Sequence, residues 1–219
     1  MSAPRVTRST WFALNSNFGE NGKDEESRLR VGNVELPALV AARVPTLPDG
    51  SVVFLAEGLL YDRSEFTEAM WNQAIGNRDV TFIVGANDLA DDGLGNVATV
   101  QVFGISEKSR RIAAALKGVR AAVTFPATMW HPWRRYEHYS MNWPNRPVVL
   151  DGHQVHISWC YESTILWPHL HSAQSGLQMV FSPENRWSSN RTSLEEAQSV
   201  SGQLISRWLG AGLLLAVNR

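Results

Sequence analysis

A chain of 219 residues with 44% hydrophobic side chains carries enough apolar material for one self-sufficient core, and no shift in composition divides it. Its single cysteine, Cys160, excludes an intramolecular disulfide framework, and the net charge of −1 excludes an overall electrostatic grip on nucleic acid. Residues 1–10 lack the apolar stretch of a secretory signal and no apolar run reaches the length of a membrane span, so a cytoplasmic protein without membrane contact is expected.

Taken in chain order, Ser9 to Leu14 reads as a short strand and Asn15 to Ser27 as an exposed polar loop. Leu29 to Leu47 contains Pro37 and Pro45, which favours short extended pieces there. Ser51 to Ala56 is a strand candidate. Asp62 or Ser64 can cap a helix carrying Phe66, Met70 and Trp71 near one face, with Gly76 as its stop. Val80 to Val84 and Val97 to Phe103 flank the polar turn Asp88 to Asn96 and predict a hairpin. Ser106 caps a basic helix with Ile112, Leu116 and Val119 at helical spacing.

Prolines and aromatics then interrupt any period from 126 to 147, an irregular segment whose ring content argues against disorder. Val148 to Leu150, Val155 to Trp159 and Leu177 to Phe181 read as strands. Ser193 to Glu196 is a capping box opening a helix with Ala197, Val200, Leu204 and Trp208 along one face. The expected fold is α+β: a mixed, largely antiparallel sheet with about three helices, in a single domain spanning 1–219.

Two concentrations of residues bear on function. Residues 107–146 hold 8 basic and 2 acidic side chains, whereas residues 1–106 hold 8 and 14. Within that basic stretch Trp130, Trp133, Tyr136, Tyr139 and Trp143 interleave with Arg134 and Arg135, types that suit a protein contact surface. Arg134 and Arg135, with Lys108, Arg110, Arg111, Lys117 and Arg120, also form a candidate site for single-stranded nucleic acid.

The second concentration is that all six histidines lie between His131 and His171. His169 and His171 on one strand face, joined by His156 from a neighbouring strand, would hold one divalent transition metal ion. His169-Leu170-His171 resembles the metal motif of rolling-circle replication and relaxase endonucleases. Those enzymes attack DNA with a tyrosine, and no tyrosine follows Tyr161 here. Cys160 has no activating partner recognisable along the sequence and reads as an inert, buried thiol. Neither a Gly-x-Ser-x-Gly elbow nor a glycine-rich phosphate loop occurs.

The sequence alone therefore favours a structural or interaction protein that assembles with itself or with another protein, of a virion type or similar, with a local surface for nucleic acid. The alternative is a metal-dependent enzyme acting on phosphodiesters through His156, His169 and His171.

Overall fold

The computed structural model describes residues 10–18, 25–60, 64–89, 96–121, 146–160, 162–164, 167–170, 172–173, 176–185 and 194–218. Two four-stranded sheets are built in chain order. The first contains β1 (Trp11–Ala13), β2 (Ser51–Phe54), β3 (Val80–Leu89) and β4 (Asn96–Phe103). The second contains β5 (Val148–Leu150), β6 (His153–Ile157), β7 (Met179–Asn185) and β8 (Gly212–Asn218).

Strand alternation explains how the sheets are used. In β2, Val52 and Phe54 face the other sheet while Val53 faces the helices, and all four residues of the strand are buried. β3 repeats the pattern, with Ile83 between the sheets and Phe82 and Val84 under the helices. A period of two with both faces apolar is the signature of a sheet covered on both sides. Between the sheets Phe54 meets Phe181 at 4.4 Å between ring centroids, and Val155, Ile157 and Ala216 complete that layer.

The outer face of the first sheet is covered by α2 (Leu36–Arg43) and α3 (Glu65–Ile75), with α1 (Glu25–Arg30) leading into α2 from the solvent side, and Trp71 of α3 stacks on Phe103 at 4.2 Å. α4 (Glu107–Leu116) packs on β3, β4 and β5, seating Ile112 and Leu116 in the layer between the sheets. The short α5 (Trp167–Leu170) lies between β6 and β7 in the chain, and α6 (Leu194–Trp208) lies against β7 and β8. Each large apolar side chain so buried contributes roughly 1.5–3 kcal/mol.

The α+β class is borne out, as is the β3–β4 hairpin, whose antiparallel register runs from Phe82 opposite Phe103 to Leu89 opposite Asn96. Between the other strands of the described residues the pairing is antiparallel at β5–β6 and parallel at β1–β2, β2–β3, β6–β7 and β7–β8, because helices carry the chain back between their ends. Two of the expected caps form, Ser64 accepting from Thr67 N–H and Ser106 from Ser109 N–H, while Ser193 of the expected capping box lies outside the described residues. Gly76 ends α3 at φ 60°, a conformation that costs a side-chain-bearing residue more.

Residues 25–43 depart from the extended pieces expected of them. α1 runs through a π-helical turn, Val31–Glu35, into α2, and Pro37 follows directly on that turn, where the wider Leu36 N–H to Val31 O bond has already displaced the regular ladder. The apolar C-terminal run is β8, paired along its length with β7.

At β3 the chain has a close approach to absorb. Gly85 N–H donates to Ala56 O at 3.1 Å, and Gly85 O accepts from Leu59 N–H at 3.0 Å. A Cβ on Gly85 would collide with the backbone of Glu57 and lie 2.6 Å from Ala56 O. Gly85→Ala is therefore expected to destabilise the fold by about 1–3 kcal/mol, read as a lowered denaturant midpoint. An unchanged midpoint would show that the 56–59 turn has room to shift.

Candidate functional site at the carboxyl ends of two parallel strands

The turn that needs Gly85 carries Glu57, three residues beyond the end of β2. Cys160 lies three residues beyond the end of β6, in the opposite sheet. Carboxyl ends of parallel strands are where side chains on following turns converge. Cys160 N–H donates to Glu57 Oε2 at 3.1 Å, across 103 residues of sequence.

Burial pushes the Glu57 pKa up from 4.5 to about 7; the Cys160 N–H opposes this and the nearby charge of Glu184, a buried residue of β7, adds to it. Near neutral pH this carboxyl is thus poised between accepting and releasing a proton. The thiol itself is half-buried. Gln198 Nε2–H, from the buried face of α6, donates to Cys160 Sγ at 3.1 Å. An unmatched buried amide would cost roughly 1–3 kcal/mol, which makes this contact informative.

Cys160 also opens a turn held at several points. Ser163 N–H donates to Trp159 O at 3.0 Å, and Ser163 Oγ–H to Cys160 O at 2.8 Å. His169 Nε2 lies 2.9 Å from Glu162 O, and since a carbonyl only accepts, the proton is on Nε2. His169 Nδ1 is then an acceptor, so His156 Nε2–H donates to it at 2.9 Å, and Ser172 Oγ–H donates to His156 Nδ1 at 2.8 Å. Both rings are buried and neutral. Burial lowers the His156 pKa to about 3, with His169 adding to the effect, and burial also lowers that of His169.

This geometry places the sequence-based candidates. His156 and His169 are brought together, but their four ring nitrogens are engaged by one another, Ser172 and Glu162 O; His171 lies outside the described residues. His169 stands on α5 and not on the strand expected for it. Among the described residues no group of three or more His, Cys, Asp or Glu could hold a metal ion.

Of the basic set, Lys108 pairs with Asp151 at 3.1 Å and donates to Gly50 O at 2.6 Å, while Arg110 pairs with Glu107 at 3.2 Å. Arg111 and Lys108 line a shallow cavity of about 270 Å³ beside Asp151. Lys117 follows α4, and Arg120 pairs with Thr99 in an isolated bridge. Trp130, Trp133, Arg134, Arg135, Tyr136, Tyr139 and Trp143 lie outside the described residues. Sequence reasoning missed Glu57 and Gln198, which no motif marks, and read Cys160 as inert. The surest available signal was Glu57 itself, an acidic residue directly after the apolar run Val52–Ala56.

Solved structures share this arrangement of sheets and helices. The nitrilase-superfamily protein Nit3 of Saccharomyces cerevisiae matches with a TM-score of 0.63 at 12% identity, over 94% of this chain and 74% of that one. A carbon-nitrogen hydrolase of Helicobacter pylori G27 matches with 0.59 at 13% identity, over 95% and 72%. The amidase of Nesterenkonia AN1 matches with 0.56 at 10% identity, over 96% and 75%, in a form with a cysteine replaced by alanine. A second form of that amidase also has a glutamate replaced by glutamine and is in complex with acrylamide. These likenesses are of fold alone: the solved neighbours are α-β-β-α folds of the nitrilase superfamily, and this chain shares that layering.

By sequence, the chain is 26% identical over 209 residues to the conjugal transfer protein TraB of Agrobacterium fabrum, covering 92% of this chain and 45% of that protein. It is 24% identical over 214 residues to a TraB protein of Sinorhizobium fredii, covering 94% and 50%. The chain thus spans about half the length of the curated relatives it matches. No family model matches it.

Both functional readings of the sequence are corrected by these findings. A fold shared with carbon–nitrogen hydrolases and a sequence related to conjugal transfer proteins support neither a virion-type assembly nor a histidine-ligated phosphodiesterase. No support arises for self-assembly or nucleic-acid binding either. No helix among the described residues is long and apolar enough to cross a membrane.

The Glu57 and His156 titrations act on stability with opposite signs. The raised Glu57 pKa gives stability that is complete below its ordinary 4.5 and lost as the pH rises through about 7, so Glu57→Gln should be more stable than the parent chain at pH 8 and no more stable near pH 4. The depressed His156 pKa gives stability that is complete above 6.5 and lost as the pH falls toward about 3. Unfolding at pH 5 should then take up about one proton at His156, so His156→Asn should lower the net proton uptake by about one. Paired denaturation and proton-uptake measurements on each variant check both signs.

Proposed function

We propose that this chain is a hydrolase of carbon–nitrogen bonds in which Cys160 is the nucleophile and Glu57 the general base and acid. The observation that carries the reading is the Cys160 N–H to Glu57 Oε2 bond, which holds a carboxyl of pKa about 7 beside the one cysteine. The fold supports it, as do the cysteine and glutamate replaced in the acrylamide-bound amidase of the same fold.

In this mechanism the Cys160 sulfur forms a bond to the amide carbonyl carbon while its proton passes to the Glu57 carboxylate. The C–N bond then breaks, and the departing nitrogen takes that proton, leaving a thioester. Water adds its oxygen to the acyl carbon and gives a proton to Glu57; the C–S bond breaks and the proton returns to sulfur. The products are a carboxylic acid and an amine or ammonia.

The sequence relatives support a setting in conjugal transfer, with other proteins of that process as partners. A lone cysteine used as a nucleophile suits the reducing cytoplasm.

The test is acylation with p-nitrophenyl acetate followed by intact mass measurement, together with ammonia release from acetamide and acrylamide. One acetyl group is expected on Cys160, and Cys160→Ala should abolish both signals. Glu57→Gln should lower turnover by about 100-fold or more. Acetyl transfer or ammonia release that survives Cys160→Ala would overturn the reading.

A further inference from the structure

α6 is inverted relative to an ordinary amphipathic helix. Its apolar stripe faces outward: Val200 is 46%, Leu204 58% and Trp208 52% exposed. Gln198, Gly202, Ile205 and Ser206 are turned inward instead. Gly202 lies over Ser182 and Glu184; a Cβ there would be 3.8 Å from the serine hydroxyl and 3.9 Å from a carboxylate oxygen. A helix that presents a largely polar side to the interior needs a reason other than apolar burial.

Gln198 supplies one. It is only 3% exposed, its Nε2–H donates to Cys160 Sγ at 3.1 Å, and its Oε1 is buried with no hydrogen-bond partner among the described residues. A buried acceptor left open is a departure from the normal satisfaction of interior polar atoms. It is separated from the donor on sulfur only by the width of one carboxamide group.

We propose that Gln198 is a third catalytic group: its N–H holds the Cys160 sulfur, and its carbonyl oxygen accepts an N–H of the scissile carboxamide, so that the site selects substrates bearing a carboxamide N–H over esters. This rests on the assignment of Cys160 as the nucleophile. When sulfur attacks the carbonyl carbon, the amide nitrogen lies next to the sulfur, where the glutamine's open oxygen can receive its hydrogen. A donor on sulfur also favours the thiolate over the thiol. An ester of the same acyl group offers Oε1 no hydrogen, and an acceptor facing an ester oxygen stays unsatisfied.

The experiment uses the chain with Gln198→Met, which keeps the length and volume of the side chain, and Gln198→Glu, which keeps its shape and an acceptor oxygen but places a negative charge at the sulfur. Two quantities are measured: the pH dependence of Cys160 alkylation by iodoacetamide, and kcat/KM for acetamide against that for p-nitrophenyl acetate. Gln198→Met should shift the alkylation midpoint to higher pH and lower kcat/KM for acetamide by about 10- to 100-fold, with a change of less than about threefold for the ester. Gln198→Glu should shift the midpoint further upward. A parent chain that is acylated at Cys160, with an amide-to-ester ratio unchanged in Gln198→Met or a midpoint unmoved in both variants, overturns the proposal for Gln198 alone. A parent chain that is not acylated at Cys160 overturns the nucleophile assignment and this proposal with it.

Discussion

The contact between the Cys160 amide and the Glu57 carboxylate joins the two sheets at one end of the sandwich, and much of the structure arranges that meeting. It requires β2 and β6 to finish at the same end. It also requires the Glu57 turn to lie against β3, which Gly85 allows by lacking a side chain. The core between the sheets, with Phe54 against Phe181, fixes their separation. A shift of one residue in the register of β2 or β6 would turn its inward side chains outward and part the two turns.

Around that contact the fold spends polar groups in its interior. Glu57 holds a half-buried carboxyl whose desolvation costs stability above neutral pH, and the Ser172–His156–His169 chain delivers one N–H to the Glu162 carbonyl. The histidine chain has a single consistent set of protons, so it works as a rigid strut and holds the turn that begins at Cys160. Strain or unfavourable burial collected at one end of an otherwise well-packed sandwich is how reactive sites are commonly sustained.

Much of the scaffold was legible in the sequence, and the site was not. The two capped helices, the hairpin and several strands announce themselves through serine caps and through runs of β-branched residues, which are local signals. The helix at 25–43 was hidden by Pro37, because whether a proline breaks a helix depends on the hydrogen bonding of the turn before it, here a π turn that no local pattern reveals. The histidine cluster was visible, but spacing says nothing of which ring nitrogens find each other. Glu57, Cys160 and Gln198 come from three separate stretches of chain, and the chemistry of each depends on neighbours brought in by the fold. The outward stripe on α6 shows the same limit, since periodicity identifies a helix and its apolar side but not which side meets the protein.

That inverted helix bears on how the molecule breathes. Among the described residues α6 docks through Gln198, Gly202, Ser206 and one buried isoleucine, fewer large apolar side chains than anchor α3 or α4. Segments with the least buried apolar area open at the lowest free energy, well before the core strands separate. Backbone amides of α6 should accordingly be among the first in the described helices to exchange with solvent, and each such opening would draw Gln198 away from sulfur while the two sheets remain assembled.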